Sequence, residues 1–210
     1  MLERRDFQLE LRAAENAESG ELTGYAAVFE ELSHPFDDFW GSEWFEEIKT
    51  GAFSRAITDK GHDIMALWAH DQSRPIASRS GGSLDLSEDE KGLFFRMRPH
   101  TDVTWAADAV AAIRGRLVTK MSIGFRVRGE EWKSKVDGKP VRTLTDIDLY
   151  EISPVALPAY EGTEVEARAA AMDSYKRFLA KDERKLDEAK TKAVARFSFA
   201  RARSIARRLK

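Results

Sequence analysis

Three side chains in this chain could do chemistry together: the hydroxyl of Ser122, the imidazole of His70 and the carboxylate of Glu151. A serine hydroxyl is a poor nucleophile at neutral pH. It needs a base within hydrogen-bond reach, normally a histidine, and a carboxylate that holds the imidazole in the right tautomer. The chain has four histidines, His34, His62, His70 and His100. His34 and His100 sit beside prolines, and His62 follows Gly61. His70 alone closes an apolar run (Asp63–His70) and opens a turn, where rigid scaffold meets solvent.

Ser122 lies in Met121-Ser122-Ile123-Gly124-Phe125, whose alternation predicts a strand with Leu117, Met121, Ile123, Phe125 and Val127 on the core face. Side chains alternate with period two, so Val118, Lys120, Ser122, Gly124 and Arg126 share the other face. Most serines on such a face are merely solvated. Here the setting is positively charged, and Gly124 leaves room for a substrate backbone. A backbone N–H or guanidinium beside the nucleophile could stabilise an oxyanion, a donor whose loss costs about 3 kcal/mol of transition-state stabilisation. Lys120 offers a rival Ser–Lys dyad, but i and i+2 side chains on a strand start about 7 Å apart, so direct proton transfer would need an unusual bend. Glu151, in Tyr150-Glu151-Ile152-Ser153-Pro154, is the candidate to orient His70. A carboxylate at a strand end is commonly just a solvated charge, and Asp146 and Asp148 compete from the opposite face by parity.

The elements that must position these groups are mostly strands. Strands are predicted within residues 6–16 and 21–30, at Asp63–His70, as a hairpin of Gly82–Ser87 with Gly92–Arg98, around Ser122, and at Arg142–Ser153 up to Pro154 and Pro158. Asp137-Gly138 predicts a tight hairpin turn. Leu32–Ile48, with Phe36, Phe39, Trp40, Trp44 and Phe45 among many carboxylates, reads as a long loop or flap, and Asp71–Gly82 as turns. Gly51–Lys60 predicts a short helix. Thr101–Arg114 predicts the main helix of the body, capped by Thr101 or Asp102 and ended by Gly115. The fold class expected is β-rich α+β, a barrel or sandwich with peripheral helices.

The 210 residues are 42% hydrophobic, enough for a real core, and contain no cysteine, which excludes a disulfide scaffold, a zinc ribbon and a thiol nucleophile. No HExxH motif or Cys/His cluster is present, so neither a metal nor another cofactor is expected. No run reaches the roughly 18 apolar residues that cross a bilayer, and the charged N-terminus is unlike a secretory signal, so an intracellular protein without membrane association is expected. The net charge of -2 hides an asymmetry. Residues 173–210 carry 13 Lys and Arg against 5 Asp and Glu, leaving 21 against 31 in the first 172. An acidic body of residues 1–168 and a basic helical tail of residues 169–210 are therefore expected, the tail with a weak apolar stripe of Leu179, Leu186, Ala193 and Phe197. A tail of this charge could touch DNA, but no base-reading motif is present, and nucleic acid is not the expected partner.

Several stretches taken together resemble the prohead proteases of tailed bacteriophages, distant relatives of the herpesvirus assemblins. They are Gly24-Tyr25-Ala26-Ala27-Val28-Phe29, Phe53-Ser54-Arg55-Ala56-Ile57, Leu67-Trp68-Ala69-His70-Asp71 with Pro75-Ile76-Ala77, Met121-Ser122-Ile123-Gly124-Phe125, and Leu149-Tyr150-Glu151-Ile152-Ser153 with Val155-Ala156-Leu157-Pro158-Ala159. The resemblance covers roughly residues 20–168. It implies an assemblin-like β-barrel and a serine endopeptidase with Ser122 as nucleophile and His70 as general base. Glu151 would be the orienting residue, where assemblins use a second histidine; none of the four histidines here lies in that region. It further implies action inside the immature procapsid in the host cytoplasm, on the scaffolding part of the major capsid protein or a separate scaffold, with self-cleavage. A homodimer follows by analogy with assemblins, and the tail would be an assembly appendage or a self-cleaved segment. The alternative is a non-catalytic scaffold or assembly protein that kept the protease-like barrel.

Overall fold

Two strands of 17 residues, Lys120–Val136 and Lys139–Val155, carry the fold of the chain in the computed structural model. The structure describes residues 3–7, 12–13, 20–37, 43–156, 171–172, 174–185, 187–190 and 192. In chain order the elements are β1 (Glu3–Phe7), β2 (Arg12–Ala13), β3 (Leu22–Val28), β4 (Phe36–Asp37), β5 (Glu43–Ile48), α1 (Ser54–Thr58), β6 (Met65–Trp68) and β7 (Asp71–Ser78). They continue with β8 (Leu84–Glu88), β9 (Gly92–Met97), α2 (Thr104–Arg114), β10 (Lys120–Val136) and β11 (Lys139–Val155). The architecture is β-rich with two helices in this part of the chain.

The β10–β11 hairpin turns at Asp137-Gly138, where φ is 45° and 75°. That left-handed pair suits the right-handed twist of the flanking strands and is why Asp-Gly marks the turn. β1 pairs antiparallel with β10 on one side, while β11 on the other pairs in parallel with β5 through Val141–Leu144 and with β6 through Glu151–Ile152. β4 and β7 extend this seven-stranded sheet, and β2-β3-β9-β8 form a second, four-stranded sheet. One core joins the sheets: Leu22, Leu93, Phe95 and Met97 from the second meet Met121, Ile123, Phe125 and Leu149 from the first, all 0% exposed. Each such side chain contributes about 1.5–3 kcal/mol by leaving water, so the core face of β10 is firmly anchored.

Several expectations are corrected. The stretch read as a loop, Leu32–Ile48, contains β4 and β5; Trp44 is buried and stacks on Phe36 with ring centroids 4.4 Å apart. Buried Glu46 and Glu47 hide the strand from a hydrophobicity reading, because their charges are matched only by residues distant in sequence. Phe39 and Trp40 lie outside the described residues. Asp71–Ser78 is strand β7, with Gln72, Ser73, Arg74 and Pro75 exposed, Asp71 and Ser78 half-buried and only Ile76 and Ala77 buried. β11 runs through Pro154, which cannot donate but whose carbonyl accepts the Ala69 N–H at 3.2 Å; Pro158 lies outside the described residues. Neither Thr101 nor Asp102 caps α2: its N-cap is Val103, without a side-chain cap. Leu117 precedes β10 and is 76% exposed rather than in the core.

Residues Met1–Ala170 form one compact unit and Ala171–Lys210 another. The described residues of the second are helical, and Leu179 there is exposed. Leu186, Ala193 and Phe197 lie outside the described residues. Among the described residues no helix is long and apolar enough to cross a membrane.

Candidate active site

The pleat of β10 turns Met121, Ile123 and Phe125 into the core and Ser122 and Gly124 to the other face. In the β10–β11 ladder Ser122 faces Ser153 and Gly124 faces Glu151. Residues directly opposite in an antiparallel pair share a face, so two hydroxyls and a carboxylate gather on one patch of sheet. All three are buried.

His70 arrives from the other side of β11. β6 lies against that strand, and its hairpin to β7 turns through Ala69-His70, with φ of 51° and 65°. Two consecutive left-handed residues are the geometry that Asn-Gly usually supplies. An alanine there stores strain, which characteristically accompanies a functional position. The turn is tied to β11 by Ala69 N–H to the Pro154 carbonyl and by His70 N–H to Ser153 Oγ at 3.3 Å.

The ring is then held from one side. His70 Nδ1 donates to Glu151 Oε1 at 2.6 Å, and the Ser153 hydroxyl donates to Glu151 Oε2. With Nδ1 carrying the proton, Nε2 presents its lone pair, the tautomer of a general base. That Nε2 is buried and has no hydrogen-bond partner. Buried polar atoms are nearly always paired, so an orphan of this kind calls for an explanation.

Gly124 makes the arrangement sterically possible. A Cβ there would lie 2.6 Å from Glu151 Oε1 and 2.7 Å from its Cγ, so the carboxylate lies directly over the glycine. The close approach expected of a substrate backbone is thus made by the Glu151 side chain. Ser153 was not singled out in the sequence; its only signal is that it stands two residues from Glu151 on the same strand.

Ser122 sits one strand over on the same face, and its hydroxyl donates to the Arg5 carbonyl of β1 at 3.1 Å. The structure therefore joins His70 to Glu151 and places Ser122 across from Ser153, with the hydroxyl turned toward β1. Asp146 and Asp148 are engaged elsewhere. Arg55 binds both, at 2.9 and 2.7 Å, and Arg128 binds Asp148 at 2.5 Å. Burial pushes the Asp148 pKa up, but these guanidinium bonds outweigh it and hold the carboxyl below its ordinary value. A bulge at Tyr150 also breaks the alternation by which the parity of those aspartates was judged. Arg126 lies over the Tyr150 ring, 5.3 Å from its centroid, and Lys120 opens β10 opposite Val155. His62 is bound through Nε2 to the Leu149 carbonyl at 2.8 Å.

A nucleophilic hydroxyl with an imidazole tied to a carboxylate is the equipment of a serine peptidase, and comparison with known proteins leads to that class. The chain belongs to the caudovirus prohead serine protease family, which matches residues 7–178. It is 28% identical over 168 residues to the prohead protease of Enterobacteria phage HK97. That alignment covers 80% of this chain and 66% of the phage protein, slightly less than two thirds of its length. No solved structure matches the chain.

Proposed function

We propose that this chain is a serine endopeptidase of phage procapsid maturation in which Ser122 attacks, His70 moves the proton and Glu151 orients His70. The observation that carries the reading is the buried His70 Nε2, set in the base tautomer by Glu151 and left without a partner on the face that Ser122 shares. In the first half-reaction Ser122 Oγ adds to the scissile carbonyl while Nε2 takes its proton. Glu151 stabilises the imidazolium, which returns the proton to the leaving amine as the peptide bond breaks. Water then hydrolyses the acyl-enzyme by the same route in reverse. Ser153 acts through Glu151 and holds the His70 turn, so it is a positioning residue.

The substrate is the scaffolding part of the major capsid protein or a separate scaffold, reached inside the procapsid in the host cell, with self-cleavage as a second event. Family membership supports this, as does the name of the HK97 relative. The β-rich double sheet is compatible with an assemblin-like barrel. A basic tail fits an assembly appendage, and a homodimer remains part of the same proposal. Co-expression with the capsid protein of the same phage provides the test. Wild type should convert the capsid protein to a shorter species by intact mass, and Ser122→Ala should leave it full-length. Equal processing by both would remove Ser122 as nucleophile, whereas a wild-type chain that processes nothing and resists a serine-reactive phosphonate would favour a non-catalytic assembly protein.

A further inference from the structure

Among the described residues β1 is an edge strand of the larger sheet, five residues held by antiparallel pairing to β10. Its register sets Asp6 opposite Ser122, Arg5 opposite Ile123 and Arg4 opposite Gly124. The strand thus runs along the segment of β10 that bears the nucleophile, and it uses the site's groups. The Arg5 carbonyl takes the Ser122 hydroxyl hydrogen at 3.1 Å, and Arg4 Nε comes within 3.9 Å of Glu151 Oε1. A hydroxyl donating to Arg5 is not donating to His70. The occupied Ser122 and the orphaned Nε2 are two sides of one arrangement.

Arg5 also anchors β1. Its guanidinium binds Glu46 at 2.5 and 2.8 Å and lies 5.4 and 5.5 Å from the ring centroids of Phe36 and Phe125. Burial would lower the Arg5 pKa, yet Glu46 and Glu3 outweigh it and hold the group firmly charged. In the same cluster Arg142 meets Glu3, Glu46 and Glu130 at 3.1, 3.0 and 2.6 Å. If β1 leaves, Glu3 and Arg5 leave with it. The net charge of the cluster stays at one negative, because Glu3 and Arg5 cancel, but Glu46 loses the guanidinium bonds that Arg5 made and is left open, beside Phe36 and Phe125, to another cation.

We infer that β1 occupies the place of the substrate strand. The chain is latent while β1 is seated, and the strand is displaced by an extended peptide that pairs with β10 and puts an arginine or lysine into the Glu46 pocket, at the residue whose carbonyl meets Ser122. This rests on the proposed nucleophile. Backbone pairing would supply the affinity and the pocket the selectivity, as in other strand-addition complexes.

The test uses full-length chains and the rate of Ser122 modification by a fluorophosphonate, read by peptide mass mapping. Because the natural sequence has no cysteine, Phe7→Cys with Met121→Cys, at paired positions of the ladder, makes a reversible clamp on β1. The oxidised clamp should label at least tenfold more slowly than the same protein reduced. Arg5→Glu, which sets a carboxylate against Glu46, should label at least tenfold faster than wild type. A peptide of residues 3–7 should slow labelling of the Arg5→Glu protein, and the same peptide with glutamate in place of its second arginine should not. Equal rates for oxidised and reduced clamp, with Arg5→Glu no faster than wild type, overturn latency while leaving the nucleophile standing. Equal protection by both peptides overturns the cation pocket. Absence of Ser122 labelling in every form overturns the nucleophile and this inference with it.

Discussion

Glu46 and Glu151 are both carboxylates sealed in the same sheet, each 4% exposed, and their surroundings differ in kind. Glu46 is clasped by Arg5 and Arg142; burial raises its pKa, but the two guanidinium groups outweigh that and hold it below the ordinary carboxylate value. Glu151 is bound by two donors that need carry no charge, the Ser153 hydroxyl and His70 Nδ1, with Arg4 only at 3.9 Å. The first cluster pairs each carboxylate with a guanidinium and ties β1 to β5, β10 and β11. The second passes its hydrogen bonding on to an imidazole with a spare lone pair. Where each carboxylate meets a guanidinium the sheet gains rigidity; where hydrogen bonding stops one atom short, an imidazole lone pair is left open.

The sharpest way to break the comparison is at His70. His70→Ala should cost on the order of 10³-fold or more in peptide cleavage with the melting temperature little changed, since members of a catalytic unit fail together. Glu151→Gln should cost less than His70→Ala in kcat, because a glutamine oxygen can still accept from Nδ1 while its NH₂ turns to Ser153 Oγ. The other side should behave in the opposite sense. Glu46→Ala should lower stability by about 3–5 kcal/mol by stranding buried guanidinium charge, read from denaturant unfolding. Because the folded-state pKa of Glu46 is depressed, its contribution is present above the unfolded carboxylate pKa and is lost as pH falls through the folded value. Wild type should therefore lose melting temperature on acidification below about pH 4.5, with a shallower slope in Glu46→Gln. The smallest effect is at the turn. Ala69→Gly relieves a left-handed alanine and should raise stability by roughly 1 kcal/mol, with a fall in activity if the strain helps fix His70.

The two regions were not equally legible in the sequence. Ser122, His70 and Glu151 could be picked out because each ends or interrupts an apolar pattern within a few residues of itself, and so could the Asp137-Gly138 turn. The need for Gly124 could not be read locally: it is set by a carboxylate 27 positions away, brought over by strand register. Ser153 is one polar residue among several until the His70 turn lands on it. β5 was hidden because Glu46 and Glu47 look solvated until Arg5, Arg142 and Thr143 are placed beside them. The strand expected within residues 6–16 overlaps β1 only at Asp6 and Phe7, and nothing local hinted that the Arg5 carbonyl would meet Ser122.

The account stands most directly on the chemical state of one hydroxyl. After prolonged exposure to a serine-reactive phosphonate, a peptide map of the chain should show the adduct on Ser122 and none in His70→Ala. An adduct on a different residue, or one on Ser122 that forms equally fast without His70, would contradict the assignment of His70 as its base.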